Sequence, residues 1–282
     1  MKAGGCGIHS SCVLSFNGCG VRQELANFTL SKRQTMLLTH IGRYVLMLKG
    51  MFTRPENWRM YWKEFMRQCV DIGIGSLSIV LIISVFIGGV STIQTAYQLV
   101  SPIIPKSTIG QVVRDTMILE FCPTITSIVL AGVVGSKIAS ELGNMRVSEQ
   151  IDALEIMGIN TKSYLIFPKI LAALLVVPML VVISGFVGIW SGKVAGVVSG
   201  ILSAQQYMQG LVLDFKPFNI VFALAKSYTF AFIISSIPAY FGYHVQGGAL
   251  EIGQASTKAV VISCILILLA DYGLAALLLQ NG

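Results

Sequence analysis

Residues 72–90 read IGIGSLSIVLIISVFIGGV, a run without a single charged side chain. A helix that rises about 1.5 Å per residue needs about twenty such residues to cross a hydrocarbon layer of about 30 Å. A strand of a membrane barrel would instead show about ten residues of alternating polarity. This continuous apolar run therefore predicts a membrane-spanning helix.

The same kind of block occurs four more times in the 282-residue chain. The five predicted spans are Ile72 to Gln94, Thr116 to Ser136, Ile170 to Gly192, Phe218 to Gly242 and Ala259 to Leu279. Composition agrees, because only 12% of the residues are charged, whereas soluble domains carry about 25%. The sequence thus predicts an all-α integral membrane protein with five transmembrane helices.

The formal net charge of +7 is distributed unevenly around these spans. Eight lysines and arginines lie between residues 32 and 67, and four more lie between 137 and 169. The two loops predicted on the opposite side of the membrane carry only Lys106 with Arg114, and Lys193 with Lys216. Basic loops favour the cytoplasm, so we expect a cytoplasmic N-terminus and a C-terminus on the opposite side. The excess positive charge needs no nucleic acid to explain it.

Residues 1–35 are rich in Gly, Ser and Cys and lack an apolar run long enough for a signal peptide. We expect a disordered or non-native tail here, with the membrane domain at residues 36–282 and Met36 as a candidate natural start. Detection of residues 1–35 in native protein by N-terminal mass spectrometry would contradict that start. The six cysteines lack zinc-type spacing, so no metal site is predicted.

Two amphipathic stretches precede the first span. In the first, apolar residues recur at helical spacing as Leu38, Ile41, Val45, Leu48 and Phe52. In the second, an aromatic stripe from Trp58 to Phe65 accompanies basic residues spaced by four. This pattern is typical of an N-terminal interfacial helix in the headgroup plane; a soluble helix packed on a partner is the alternative.

Small residues line one face of the third predicted span at four-residue intervals. They are Ser184, Gly188, Gly192, Gly196 and Gly200. Such a face lets another helix approach closely. We favour a helix of the same chain as the neighbour; a second subunit is the alternative.

Three ionisable residues, Glu120, Lys226 and Asp271, lie inside predicted spans at similar depth. A charge at the centre of a membrane helix costs about 2.5–3.5 kcal/mol on insertion scales, so each needs a partner or water. Two interpretations remain open, a structural set of salt bridges and a hydrated cavity that receives a lipid headgroup.

The loop between the second and third predicted spans is too polar to cross a membrane. Ser148 offers an N-cap, and Glu149 and Asp152 fall in the first turn of the predicted helix. Gly158 offers a stop. With Glu155, the two acids form a ridge at three-residue spacing. The pattern predicts a short amphipathic surface helix, which an ordinary loop helix would also produce.

Two motifs in this chain resemble those of the MlaE (YrbE) permeases. The first is Glu141 to Gly158, above all Met145-Arg146-Val147 and Glu149-Gln150-Ile151-Asp152-Ala153-Leu154; the second covers Gly247 to Val261. The resemblance extends from about Met36 to Leu279. The basic residue that often precedes the glutamate in this family is Leu119 here.

The resemblance implies the permease subunit of an ABC transporter in a bacterial inner membrane, which moves phospholipids between inner and outer membranes. Implied partners are a second copy of the chain, a cytoplasmic MlaF-like ATPase, a periplasmic MlaD-like protein with an MCE domain and, as a further candidate, a STAS-domain protein. It also implies that Glu120, Lys226 and Asp271 lie near a lipid cavity. The residues implied to couple to the ATPase are Arg146, Glu149, Gln150, Asp152 and Glu155.

No Gly-x-x-x-x-Gly-Lys-Ser/Thr phosphate loop occurs in the chain. ATP and Mg²⁺ are therefore expected in the partner ATPase, and the chain itself is not expected to be an enzyme. Two other classes compete with the permease. One is an intramembrane enzyme using Glu120, Asp271 and His244; the other is an ATP-independent channel or membrane scaffold.

Overall fold

The computed structural model describes residues 39–51, 58–99 and 105–279, and within these ranges it is helical, without strands. The expected tail of residues 1–35 and the candidate start at Met36 lie outside the described residues. The helices are α1 (residues 39–51), α2 (Trp58–Gln98), α3 (Ser107–Val147), α4 (Gln150–Ile156), α5 (Lys162–Val198), α6 (Ala204–Val212), α7 (Phe218–Tyr243) and α8 (Ala249–Leu279).

Five of these helices, α2, α3, α5, α7 and α8, are long and apolar enough to cross a membrane. This confirms the five predicted spans. Several helices extend well beyond the apolar blocks, and α2 has 41 residues, or about 61 Å at 1.5 Å per residue. A helix does not have to end where its apolar residues end, because its backbone hydrogen bonds are satisfied within the segment.

The two amphipathic stretches before the first span differ in structure. Residues 39–51 form α1, in which Ile41, Val45 and Leu48 share one face by their spacing. The aromatic and basic stretch from Trp58 to Arg67 does not form a helix of its own, because it is continuous with the first span in α2.

The small residues of the third span pack against α2 of the same chain. A Cβ atom added at Gly88 would overlap the carbonyl oxygen of Gly188, and one added at Gly192 would lie 2.5 Å from the Thr92 hydroxyl. The Ser191 hydroxyl donates to the Val85 carbonyl across the contact at 2.9 Å. The favoured intrachain contact is therefore confirmed for this face. Gly200 instead follows the end of α5 with a φ of +70°.

Replacing Gly88 with alanine is expected to weaken this contact, since the new methyl group meets backbone that cannot rotate away. Overpacking of this kind costs about 1–3 kcal/mol or more. The melting temperature of the purified protein in detergent should fall clearly. Gly89→Ala is the matched control, because its Cβ would lie at an ordinary 3.5 Å from the Ala195 Cβ. Equal melting temperatures for the two variants would contradict the close contact.

The core of the bundle is built around α7, the most buried of the five spans, whereas α8 is the least buried. Small residues again allow close approach: a Cβ at Gly242 of α7 would lie 2.6 Å from the Ala139 carbonyl of α3. Two stretches of α3 are wound as π-helix, Met117–Ile125 and Ala131–Gly135. The first contains both Glu120 and Pro123, and π turns are often found at functional sites.

Candidate functional site

Lys226 lies on α7 with its side chain fully buried. Its Nζ is 3.0 Å from both carboxylate oxygens of Glu120 on α3. It is also 2.7 Å from Oδ1 of Asp271 on α8. The three charged residues singled out in the sequence thus lie together and join three helices.

The Lys226 ammonium has a third partner, the backbone carbonyl of Leu119, at 3.1 Å. This carbonyl lies in the π-helical stretch Met117–Ile125. A carbonyl oxygen has two lone pairs, so it can accept from Lys226 in addition to a bond within the helix. Sequence patterns describe side chains, so this backbone contribution of Leu119 has no signal in the sequence.

Thr124 was not singled out either, yet its hydroxyl donates to Oδ1 of Asp271 at 3.1 Å. The side chain lies one turn of α3 beyond Glu120. One segment of α3 therefore supplies a carboxylate, a carbonyl and a hydroxyl to the same group of residues. We call Glu120, Lys226, Asp271, Leu119 and Thr124 the charge cluster.

The charge cluster is exposed on its acidic side. Side-chain exposure is 42% for Glu120 and 18% for Asp271 but 0% for Lys226. An ammonium has three N–H donors, and Glu120, Asp271 and Leu119 supply three acceptors. All three N–H donors of Lys226 are therefore used in contacts that hold the helices together. The accessible edge of the charge cluster is a carboxylate, which favours a cationic or hydrogen-bond-donating group over a bare phosphate.

A separate apolar cavity of about 590 Å³ lies between α3, α5, α6 and α7. Its lining includes Ile118 and Cys122 of α3, Phe186 and Trp190 of α5, and Met208 of α6. Glu120 lies between Ile118 and Cys122 in sequence and so projects from the other side of α3. The cavity and the charge cluster are therefore on different faces of the same helix.

The loop between α3 and α5 contains the short helix α4 (Gln150–Ile156), as predicted for this stretch. The predicted cap is wrong, because the Ser148 hydroxyl donates back to the Asn144 carbonyl at 2.7 Å. Glu149 precedes α4 instead, with a left-handed φ of 57°. Gly158 does end the turn, with a φ of +82°.

The three acids of the predicted ridge are exposed or partly exposed, and two of them also accept hydrogen bonds from the chain. Asp152 accepts from Arg146 at 2.6 Å. Glu155 accepts from the Tyr243 hydroxyl at 2.8 Å and from the Thr161 hydroxyl at 3.1 Å. Glu149 and Gln150 are exposed.

Two apolar residues form the exposed tip of this loop. Ile156 is 87% exposed and Met157 is 66% exposed, whereas Ile151 on the other face of α4 is fully buried. An exposed pair of apolar residues on a helix whose other face is buried is typical of a surface that binds a partner.

His244, a residue of the competing enzyme interpretation, is not brought to the charge cluster. It follows the last residue of α7, eighteen positions after Lys226, or about 27 Å along the helix. The group of carboxylates and imidazole that this chemistry requires is therefore not assembled.

The chain is similar to a family of transporter subunits. The family model described as "Permease MlaE" matches residues 65–277. A probable ABC transporter permease protein of Rickettsia bellii is 34% identical over 88% of this chain and 95% of the relative. A probable ABC transporter permease protein of Synechocystis is 32% identical over 82% of this chain and 88% of the relative.

A plant protein shares the similarity. The chloroplastic protein TRIGALACTOSYLDIACYLGLYCEROL 1 of Arabidopsis thaliana is 35% identical over 79% of this chain and 64% of its own length. The match to the family model, over residues 65–277, contains the charge cluster, α4 and most of all five spans. The chain belongs to the MlaE permease family.

Proposed function

We propose that this chain is the transmembrane subunit of an ABC transporter that moves phospholipids between the inner and outer membranes of a bacterium. In this arrangement a partner ATPase binds ATP and Mg²⁺, and the chain converts the motion of that partner into lipid transfer. The proposal places the chain in the inner membrane, with the N-terminus and α4 in the cytoplasm and the C-terminus in the periplasm.

The observation that carries the proposal is the exposed tip of α4. Ile156 and Met157 are presented at one end of the bundle, beside the exposed Glu149 and Gln150. Apolar residues that are mostly exposed in an aqueous loop are typical of a binding surface. A cytoplasmic ATPase supplies that surface, and α4 then acts as the coupling helix with Arg146, Glu149, Gln150, Asp152 and Glu155.

A lipid cargo is supported by the charge cluster and by one relative. Intramembrane ionisable residues mark substrate pathways by default, and the exposed side of Glu120 is the part of the charge cluster that a headgroup can reach. The Arabidopsis relative carries the name of a galactolipid. We assign a phospholipid headgroup to the Glu120 side of the charge cluster.

The remaining partners are proposed from the resemblance to the family, and for the second copy also from the surface of the bundle. A second copy of the chain fits the exposed apolar face of α8, which includes Leu268, Leu269 and Tyr272. An MlaD-like MCE protein would continue the lipid path in the periplasm, and a STAS-domain protein would bind the ATPase side. We also place α1 at the membrane interface.

The proposal is tested with the protein purified from its native membrane together with the proteins and lipids bound to it. Mass spectrometry should identify an ABC ATPase and phospholipid. After reconstitution into liposomes, added ATP and Mg²⁺ should drive transfer of a labelled phospholipid. Lipid or solute passage without an ATPase would instead support the competing channel. If neither passage nor a bound ATPase is detected, the result would support a scaffold.

A further inference from the structure

Three residues join α4 to the end of α7. The Tyr243 hydroxyl, on the last turn of α7, donates to Oε1 of Glu155 at 2.8 Å. The Thr161 hydroxyl, which lies just before α5, donates to the same oxygen at 3.1 Å. Thr161 and Tyr243 are both buried, at 2% and 6% exposure. A carboxylate of the loop helix is thus held by two buried hydroxyl groups of the bundle.

The contact differs in kind from the other polar contact of α4. The pair of Arg146 and Asp152 joins residues six positions apart, and both side chains are partly exposed, at 31% and 47%. Such a pair contributes little. The bond between Glu155 and Tyr243 joins residues 88 positions apart, and it connects α4 to a different span from the one that precedes it.

Glu155 and Ile151 share one face of α4, because residues four apart lie one above the other on a helix. Ile151 is fully buried, so this face is the one that contacts the bundle. Ile156 and Met157 lie on the exposed side. One face of α4 is therefore anchored while the other is open.

We infer that Glu155 is a positioning residue that anchors α4 to α7 through the Tyr243 hydroxyl, so that movement of α4 is passed to the span that carries Lys226. The inference rests on the proposed function, since it assigns the path by which the ATPase acts. Glu155 is exposed as a residue, but its carboxylate is bonded to the bundle, whereas Ile156, Met157 and Glu149 face the partner.

The hydroxyl groups of Thr161 and Tyr243 keep a hydrogen-bond partner when the Glu155 carboxylate is removed. Each hydroxyl has one hydrogen. The Tyr243 hydroxyl donates to Glu155, and the Thr161 hydroxyl lies within hydrogen-bonding distance of both Glu155 and the Tyr243 oxygen. The Thr161 and Tyr243 oxygens also lie 2.9 Å apart. If the carboxylate is removed, one hydroxyl can donate to the other. The bundle then keeps its buried polar groups partnered, while α4 loses its bond to α7.

The test uses the full transporter, purified with its ATPase subunit and reconstituted into liposomes containing fluorescent phosphatidylethanolamine or phosphatidylglycerol. Tyr243→Phe, which keeps the ring and removes the donor, should lower the lipid transferred per ATP hydrolysed about tenfold, as expected for one hydrogen bond to a charged group. Glu155→Ala should have a similar effect. Glu155→Gln retains an acceptor and should recover most of the ratio. The amount of co-purified ATPase should not change in Tyr243→Phe, because Tyr243 is buried in the bundle.

Two comparisons separate the anchor from a general loss of stability. The double variant Glu155→Ala with Tyr243→Phe should be no worse than the stronger single variant, since both remove one interaction. Tyr97→Phe is the matched control, because Tyr97 is 83% exposed. Independent multiplied losses in the double variant, or a native ratio in Tyr243→Phe, would overturn the inference.

A second readout does not depend on transport. Hydrogen exchange of the backbone amides in residues 150–157 should be faster in Tyr243→Phe than in the native protein, while exchange in α7 stays unchanged. Unchanged exchange in α4 would overturn the anchor itself. If the native complex shows no ATP-driven lipid transfer although Tyr243→Phe loosens α4, the proposed function fails and the anchor remains.

Discussion

Lys226→Met is expected to destabilise the folded bundle by about 3–5 kcal/mol, the typical cost of removing one partner from a buried ion pair. The side chain of Lys226 is fully buried, and its ammonium lies within 3.0 Å of two carboxylates. Without it, Glu120 and the mostly buried Asp271 lose the cation that lies between them. Thermal unfolding of the detergent-purified variant, followed by circular dichroism, should show a much lower midpoint.

The matched control for this variant neutralises the whole set of charges. Combining Lys226→Met with Glu120→Gln and Asp271→Asn leaves no uncompensated charge, and such replacements are often close to neutral for stability. The triple variant should therefore unfold at a higher temperature than Lys226→Met alone. Equal midpoints for the native protein and the single variant would contradict a stabilising role for the ion pairs.

The second large effect is expected at the tip of α4. Replacing both Ile156 and Met157 with glutamate should lower the affinity for the partner ATPase about a hundredfold, or about 3 kcal/mol, the scale of a central interface residue. Both side chains are mostly exposed in the chain itself, so its own melting temperature should change little. Pull-down of the ATPase with the purified permease measures the affinity.

A similarly exposed apolar residue at the other end of the bundle provides the comparison. Val198, at the end of α5, is 82% exposed and is separated from α4 by the length of α5. Val198→Glu should leave ATPase binding unchanged. Loss of binding in both variants would indicate a general effect of surface charge, and native binding in the α4 variant would exclude this tip as the contact.

The charge cluster shows how far the sequence alone can predict a site in a membrane protein. The cost of a buried charge identified Glu120, Lys226 and Asp271, and similar depth placed them in one layer. Depth in the membrane does not show to which side of its helix a residue points, so the sequence left open whether the three side chains contact one another. The contribution of Leu119 was missed because it comes from the backbone, which sequence patterns do not describe.

The loop helix shows a different limit. Its existence and its end at Gly158 were predicted, but Ser148 was given the wrong role. A serine near a helix end can accept from the backbone as a cap or donate to the carbonyl four residues earlier. Here α3 continues to Val147, so the second option is realised. The left-handed Glu149 has no clear sequence signal, since glycine or asparagine is usual at such a φ.

The three-way attachment of Lys226 has a consequence for biogenesis. Spans enter the bilayer in chain order, so the lysine of α7 and the glutamate of α3 are in place before Asp271 arrives on the last span. Until then the Glu120 carboxylate balances the charge of the lysine, but the ammonium lacks one of its three hydrogen-bonding partners. The C-terminal helix therefore completes the contacts of the buried lysine, and a chain truncated before it is expected to be a substrate for membrane quality-control proteases.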